Sequence, residues 1–297
     1  MMLLLMLLTS ISAWADDIDL GDYSNSEITL KNGDNVFGDL YSAKNVQVFI
    51  ADGATVTLSG VNINQENYAG ITCLGNATII LSGENTITGG YGYPGIQAAK
   101  REGEGDEYTL TIQGDGSLTA NGSTYAAGIG GGEQGSCGNI TMSGGTVTAT
   151  GSEAGIGSGF SGSCGDITIS GGTVIVTGGV SAPGIGCGYG YEPSQCGNIT
   201  ISGGTVIATG GVEAPGIGCG GGQSKCGDIT ITPGITSVTA TKGDGAPYSI
   251  GKSASGEATC GTVTINGVVG LSVPARLHLP ALRWMETSPR IQQATTM

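Results

Sequence analysis

The feature that most constrains this chain is a repeated unit of glycines and β-branched residues. Four near copies and a fading fifth begin at Gly128-Ile129-Gly130, Gly155-Ile156-Gly157, Gly184-Ile185-Gly186, Gly216-Ile217-Gly218 and Ser249-Ile250-Gly251. Each passes through a glycine-rich loop to a Cys-Gly step, at Cys137, Cys164, Cys196, Cys226 and Cys260, and then a strand such as NITM, DITI or TVTI. Ser-Gly-Gly follows in the first three copies, and a second strand of the type TVTAT or TVIAT completes the unit. The period drifts from 27 to 33 residues, and the drift falls in the loops. A fixed unit that cannot bury its own apolar face must stack on its neighbours.

Two strands plus a short Gly-Ile-Gly step make one three-sided rung. The spacing therefore predicts an all-β, right-handed, single-stranded parallel β-helix of about eight rungs, roughly 40 Å long at the usual strand spacing. Alternation fixes the inside: Ile140, Met142, Val147 and Ala149 share one parity and point inward. The equivalent residues Ile167, Ile169, Val174, Val176 and Ile199, Ile201, Val206, Ala208 stack above them. Thr146, Thr150, Thr173, Thr177, Thr205 and Thr209 then form outward rows, and a one-residue slip would invert every set. Weaker rungs are expected upstream, from Ala69 to Thr88 and from Pro94 to Ala120, with VQVFI, ATVTLSGV and the ITL at Ile28 before them.

Glycine supplies 58 of 297 residues, yet it alternates with regular Ile, Val and Thr strands at low charge density, which argues against disorder. The first fifteen residues, MMLLLMLLTSISAWA, read as a signal peptide, too short for a stable membrane anchor, and imply export. Residues 16–44 are expected to cap the start, 45–271 to form the helix, and 272–297 to be a C-terminal cap or a disordered tail. That tail carries three of the four arginines, Trp284 and the sole histidine, His278. With 24 acidic and 10 basic residues the chain has a formal charge of −14, which disfavours nucleic acid and anionic membrane as partners. The eight cysteines fall in one row of five and one row of two, Cys187 and Cys219, with Cys73 apart. Buried free thiols are expected, because stacked parallel side chains have the wrong torsion for disulfides.

The rungs GIGxG…CGxITISGGTVxATGG and residues 71–99 resemble those of a bacterial family of secreted carbohydrate-binding β-helix proteins, related in architecture to pectate lyases. Similar repeats occur in adhesin-like surface proteins. The resemblance implies a plant or cell-surface polysaccharide, glucan or polyuronate, as partner, with calcium sometimes bound.

The residues themselves favour binding over catalysis. A glycosidase needs a positioned carboxyl pair, and the motifs of β-helix pectin hydrolases are missing. A lyase needs calcium and a base, and the only local match is the loop Lys100, Arg101, Glu102, Glu104, Asp106 and Glu107. Its four carboxylates are the candidate calcium ligands, with the row Asn139, Asp166, Asn198 and Asp228 as a second possibility. The competing reading of that row is a side chain closing the turn before each strand. Sugar rings present C–H faces and hydroxyls, so the loop residues Tyr91, Tyr93, Tyr189 and Tyr191 are the candidate carbohydrate-binding residues. Phe160, Tyr125 and Tyr248 near equivalent bends would extend them into a discontinuous strip. A structural or ice-binding role for the Thr rows is a third class, weakened by the interruptions at Ile175 and Ile207.

Overall fold

The computed structural model describes residues 15–99, 108–269 and 277–280. It is an all-β parallel solenoid in which helix accounts for 2%. Every turn visits three faces in the same order. The third face is a nine-stranded ladder that includes Glu27–Leu30, Gln47–Ile50, Ile129–Gly130, Ile185–Cys187 and Ile250–Lys252. From it the chain passes to a first face, as at Asn139–Met142, and then to a second, as at Thr146–Thr150. Six regular turns have a separate strand on each face, between Ile71–Cys73 and Ser237–Thr241. In the two preceding turns the first and second faces are crossed by one long strand each, Asn35–Tyr41 and Ala54–Asn64.

The parity read from the sequence holds. Ile140, Met142, Val147 and Ala149 are fully buried, and Ile167, Ile199 and Ile229 stack on Ile140 in unbroken register. Each such Ile or Val contributes about 2 kcal/mol of apolar burial, so the core is a set of aliphatic columns along the rod. Outside, Thr146, Thr173 and Thr205 pair in register, as do Thr150, Thr177 and Thr209. On the first face Thr55, Thr78, Thr111, Thr141, Thr168, Thr200, Thr230 and Thr264 form one continuous row.

The third face depends on its second glycine. Gly157, Gly186 and Gly218 have φ of 139°, 131° and 135°. A Cβ on Gly186 would stand 2.0 Å from the Gly218 carbonyl oxygen, so both conformation and contact require glycine.

The Asx row links turns rather than closing its own. Asn139 Oδ1 accepts the Asp166 N–H at 2.8 Å, Asp166 Oδ1 that of Asn198 at 2.6 Å, Asn198 Oδ1 that of Asp228 at 2.9 Å, and Asp228 Oδ1 that of Thr262 at 2.7 Å. Asp52 and Asn76 repeat the device upstream, accepting from Asn76 and Thr109.

The expectation of free thiols throughout is corrected at one point. Cys137 and Cys164 are disulfide-bonded, their Cα atoms 4.5 Å apart. Both precede the first-face strand, Cys137 outside any strand and Cys164 in an isolated parallel bridge to Cys196, so the regular pleat that sets side-chain torsions within the ladders does not extend over this pair. Cys73, Cys187, Cys196, Cys219, Cys226 and Cys260 are free.

Residues Asp17–Asp19, Glu27–Leu30 and Asn35–Tyr41 are the first members of the ladders, with Leu20 buried among them. At the other end Leu277–Pro280 lies antiparallel on Ser237–Thr241, with Leu277 buried and His278 Nδ1 2.8 Å from Thr239 Oγ1. Leu282 and Trp284 of the tail, and residues 1–14, lie outside the described residues.

Candidate functional site: an axial row of aromatic rings

Two kinds of loop meet on one edge of the solenoid, those entering the third face and those leaving it. Tyr91 and Tyr125 come from the first kind, Phe160, Tyr189 and Tyr191 from the second. Backbone bonds hold the loops together: the Phe160 N–H donates to the Tyr125 carbonyl at 2.9 Å and the Ser161 N–H to that of Tyr189 at 2.8 Å. The rings then form one chain along the rod. Tyr91 meets Tyr125 edge-on at 6.1 Å between centroids, and Tyr125 meets Phe160 at 5.2 Å. Phe160 stacks on Tyr189 at 6.1 Å and meets Tyr191 edge-on at 5.5 Å. Tyr189 and Tyr191 close the chain at 5.2 Å.

The strip expected to be discontinuous is therefore continuous, because Tyr125 and Phe160 bridge the two Tyr-Gly-Tyr loops. Tyr93 is exposed in the first of those loops, outside the chain of ring contacts seen among the described residues, and Tyr248 is likewise outside it. The outer rings remain open to solvent, Tyr91 at 62% and Tyr191 at 68% exposure. Tyr125 holds φ of +65°, a left-handed conformation that costs a bulky residue on the order of 1 kcal/mol. Gly92, Ser181, Glu213 and Gly245 occupy the same corner with similar φ, so the turn itself demands this geometry.

Glu153 lies under the row and was not singled out in the sequence. Its Oε2 accepts the Tyr189 N–H at 2.7 Å, and burial pushes its carboxyl up to about 7, the backbone bond opposing this in part. The Tyr189 phenol is also raised, by burial first and then by Tyr191 and Glu153. The signal that was available is local: Gly-Ser-Glu-Ala-Gly-Ile is one residue shorter than the corresponding Gly-Val-Glu-Ala-Pro-Gly-Ile, which draws its acid inward.

The loop with Lys100, Arg101, Glu102, Glu104, Asp106 and Glu107 lies outside the described residues. Among the described residues no group of three or more His, Cys, Asp or Glu is placed to hold a metal ion. A shallow, open concavity of about 490 Å³ at the corner between the first and second faces is lined by Ser82, Gly83, Glu84, Asp115, Gly116, Ser117 and Thr146. It offers two carboxylates and no basic group.

A family model described as Beta helix repeat matches residues 110–133, 140–160, 167–189 and 199–221. Each matched segment starts on the first face and ends just past the third, so model and structure agree on the unit. Fold and repeat together define the class, a parallel β-helix. No curated protein and no solved structure matches the chain.

Proposed function

We propose that this is an exported, non-catalytic protein that binds an extended polysaccharide along its aromatic row. One observation carries the reading: five rings from four successive turns touch in sequence along the axis while the outer ones stay exposed. Neighbouring ring centroids lie 5.2 to 6.1 Å apart, an interval comparable to one sugar residue. Stacking on sugar C–H faces does not need charge, which suits a neutral glucan against an acidic rod. A soluble monomer has no evident reason to keep large rings exposed in a row. The leader-like residues 1–15 support export, and an adhesin-like role at a cell surface fits the same chemistry.

The second reading is a calcium-dependent polyuronate lyase centred on residues 100–107. It is favoured by the sequence of that segment, where two adjacent bases are followed by four carboxylates. A scaffold role with a protein partner is the third. The experiment is incubation with insoluble glucan and, separately, with polyuronate and calcium, following pull-down and ultraviolet-absorbing unsaturated product. Pull-down on glucan without product is the expected result. Product that disappears in Lys100→Ala or Arg101→Ala would replace binding by lyase chemistry, and neither pull-down nor product would leave the scaffold.

A further inference from the structure

Five of the six free thiols gather at one corner of the rod. Cys187 and Cys219 end the third-face strands Ile185–Cys187 and Ile217–Cys219 and are register neighbours. Cys196, Cys226 and Cys260 lie in three short parallel strands, Gln195–Cys196, Lys225–Cys226 and Thr259–Cys260. Within each turn the two rows lie side by side: Ile185–Cys187 packs against Gln195–Cys196, and Ile217–Cys219 against Lys225–Cys226. The surroundings are polar, with Ser158 Oγ 3.6 Å from Cys187 Sγ and Cys219 Sγ donating to the Thr259 carbonyl at 2.9 Å.

We propose that Cys187–Cys196 and Cys219–Cys226 are disulfide-forming pairs, oxidised by a small-molecule disulfide as the chain folds, while Cys73 and Cys260 stay as thiols. The existing bond shows which rule selects the partners. Cys137 and Cys164 join along their row, and where Cys187 and Cys219 stand their turns carry Gly131 and Ser158. A row bond thus forms where no cysteine is available within the turn. Cys260 has no cysteine within its turn, because Lys252 occupies the register position next to Cys219, and its row neighbour Cys226 is taken by Cys219, so it stays a thiol. All four paired thiols are buried, so oxidation takes place as the turns close.

The Cys187 thiol is lowered below its ordinary value, chiefly by the neighbouring Cys196 thiol, and is the attacking sulfur. Its thiolate attacks one sulfur of the oxidant and releases the first oxidant thiol. The Cys196 thiolate then attacks the mixed disulfide and releases the second. Two S–H bonds are lost and one S–S bond forms; two electrons reduce the oxidant, whose two thiols carry the two protons. Cys219 and Cys226 follow the same course more slowly, because burial raises both, Cys219 to about 11. The Cys187–Cys196 bond closes the loop that carries Tyr189 and Tyr191.

The test is to refold the full chain with oxidised glutathione, alkylate remaining thiols under denaturant, and map unreduced peptides. Cleavage after Tyr191, Glu213 and Lys225 puts Cys187, Cys196, Cys219 and Cys226 on separate fragments. The expected map joins Cys187 to Cys196 and Cys219 to Cys226, with alkyl groups on Cys73 and Cys260 alone. In Cys187→Ser, Cys196 becomes alkylated while Cys219–Cys226 persists. Linkage of Cys196 to Cys226 or of Cys187 to Cys219 in the unaltered chain, or alkylation of all four, would overturn the proposal.

Discussion

Glu153 and Gly186 show how far single residues carry this rod. The Glu153 carboxyl has an ordinary value of 4.5 and is raised to about 7 in the fold, so the folded state favours its protonated form. Its contribution to stability is complete below pH 4.5 and is lost as pH rises through about 7, about 3 kcal/mol in all. Glu153→Gln keeps an acceptor for the Tyr189 N–H and removes the ionisation. Urea melts at pH 8 should show the variant more stable than the parent by up to that amount, with the difference shrinking towards pH 4.5; a pH-independent difference would show that the fold leaves the carboxyl at its ordinary value. Gly186→Ala meets both a forbidden φ and the Gly218 carbonyl, and should cost about 3 kcal/mol or more. A melt unchanged by that substitution would mean that the third face can spread to admit a methyl group.

At the scale of elements, the turns are tied by two ladders, one of backbone bonds and one of Asx side chains. Asp166 Oδ1 supplies the bond to the Asn198 N–H. Asp166→Ala should therefore destabilise by about 1 kcal/mol, and Asp166→Asn should be nearly neutral, because asparagine does the same work at 139 and 198. Equal loss in both variants, by denaturant titration, would point to the charge rather than the hydrogen bond. The strands were legible in the sequence because their period of two repeats in every copy: Ile140, Ile167 and Ile199 could be aligned by eye and are buried in one column. The bridging roles of Tyr125 and Phe160 were not legible, since lateral contact between loops of unequal length depends on how far each leans over the edge. The Cys137–Cys164 bond escaped for a related reason. The torsions of a regular strand do not carry over to Cys137, which lies outside any strand, or to Cys164, which pairs in an isolated bridge to Cys196.

As a whole molecule, the rod is a scaffold whose stacking turns bring short loops into an axial line, and this is what gives an otherwise aliphatic and polar chain a surface with one direction. Its acidity bears on cations. If calcium binds native carboxylates, at Glu102, Glu104, Asp106 and Glu107 or along the Asx row, millimolar calcium must raise the melting temperature over that in chelator; identical melts would remove calcium from the account. The aromatic row bears on the function itself. Tyr125→Ala with Tyr191→Ala removes two rings from the chain of contacts, each stacking face being worth about 1 kcal/mol. The direct measurement is the glucan-binding isotherm of this double variant beside the parent, both shown by circular dichroism to keep the same β spectrum. The account predicts affinity weakened about 30-fold, and an isotherm that overlays the parent's would contradict it.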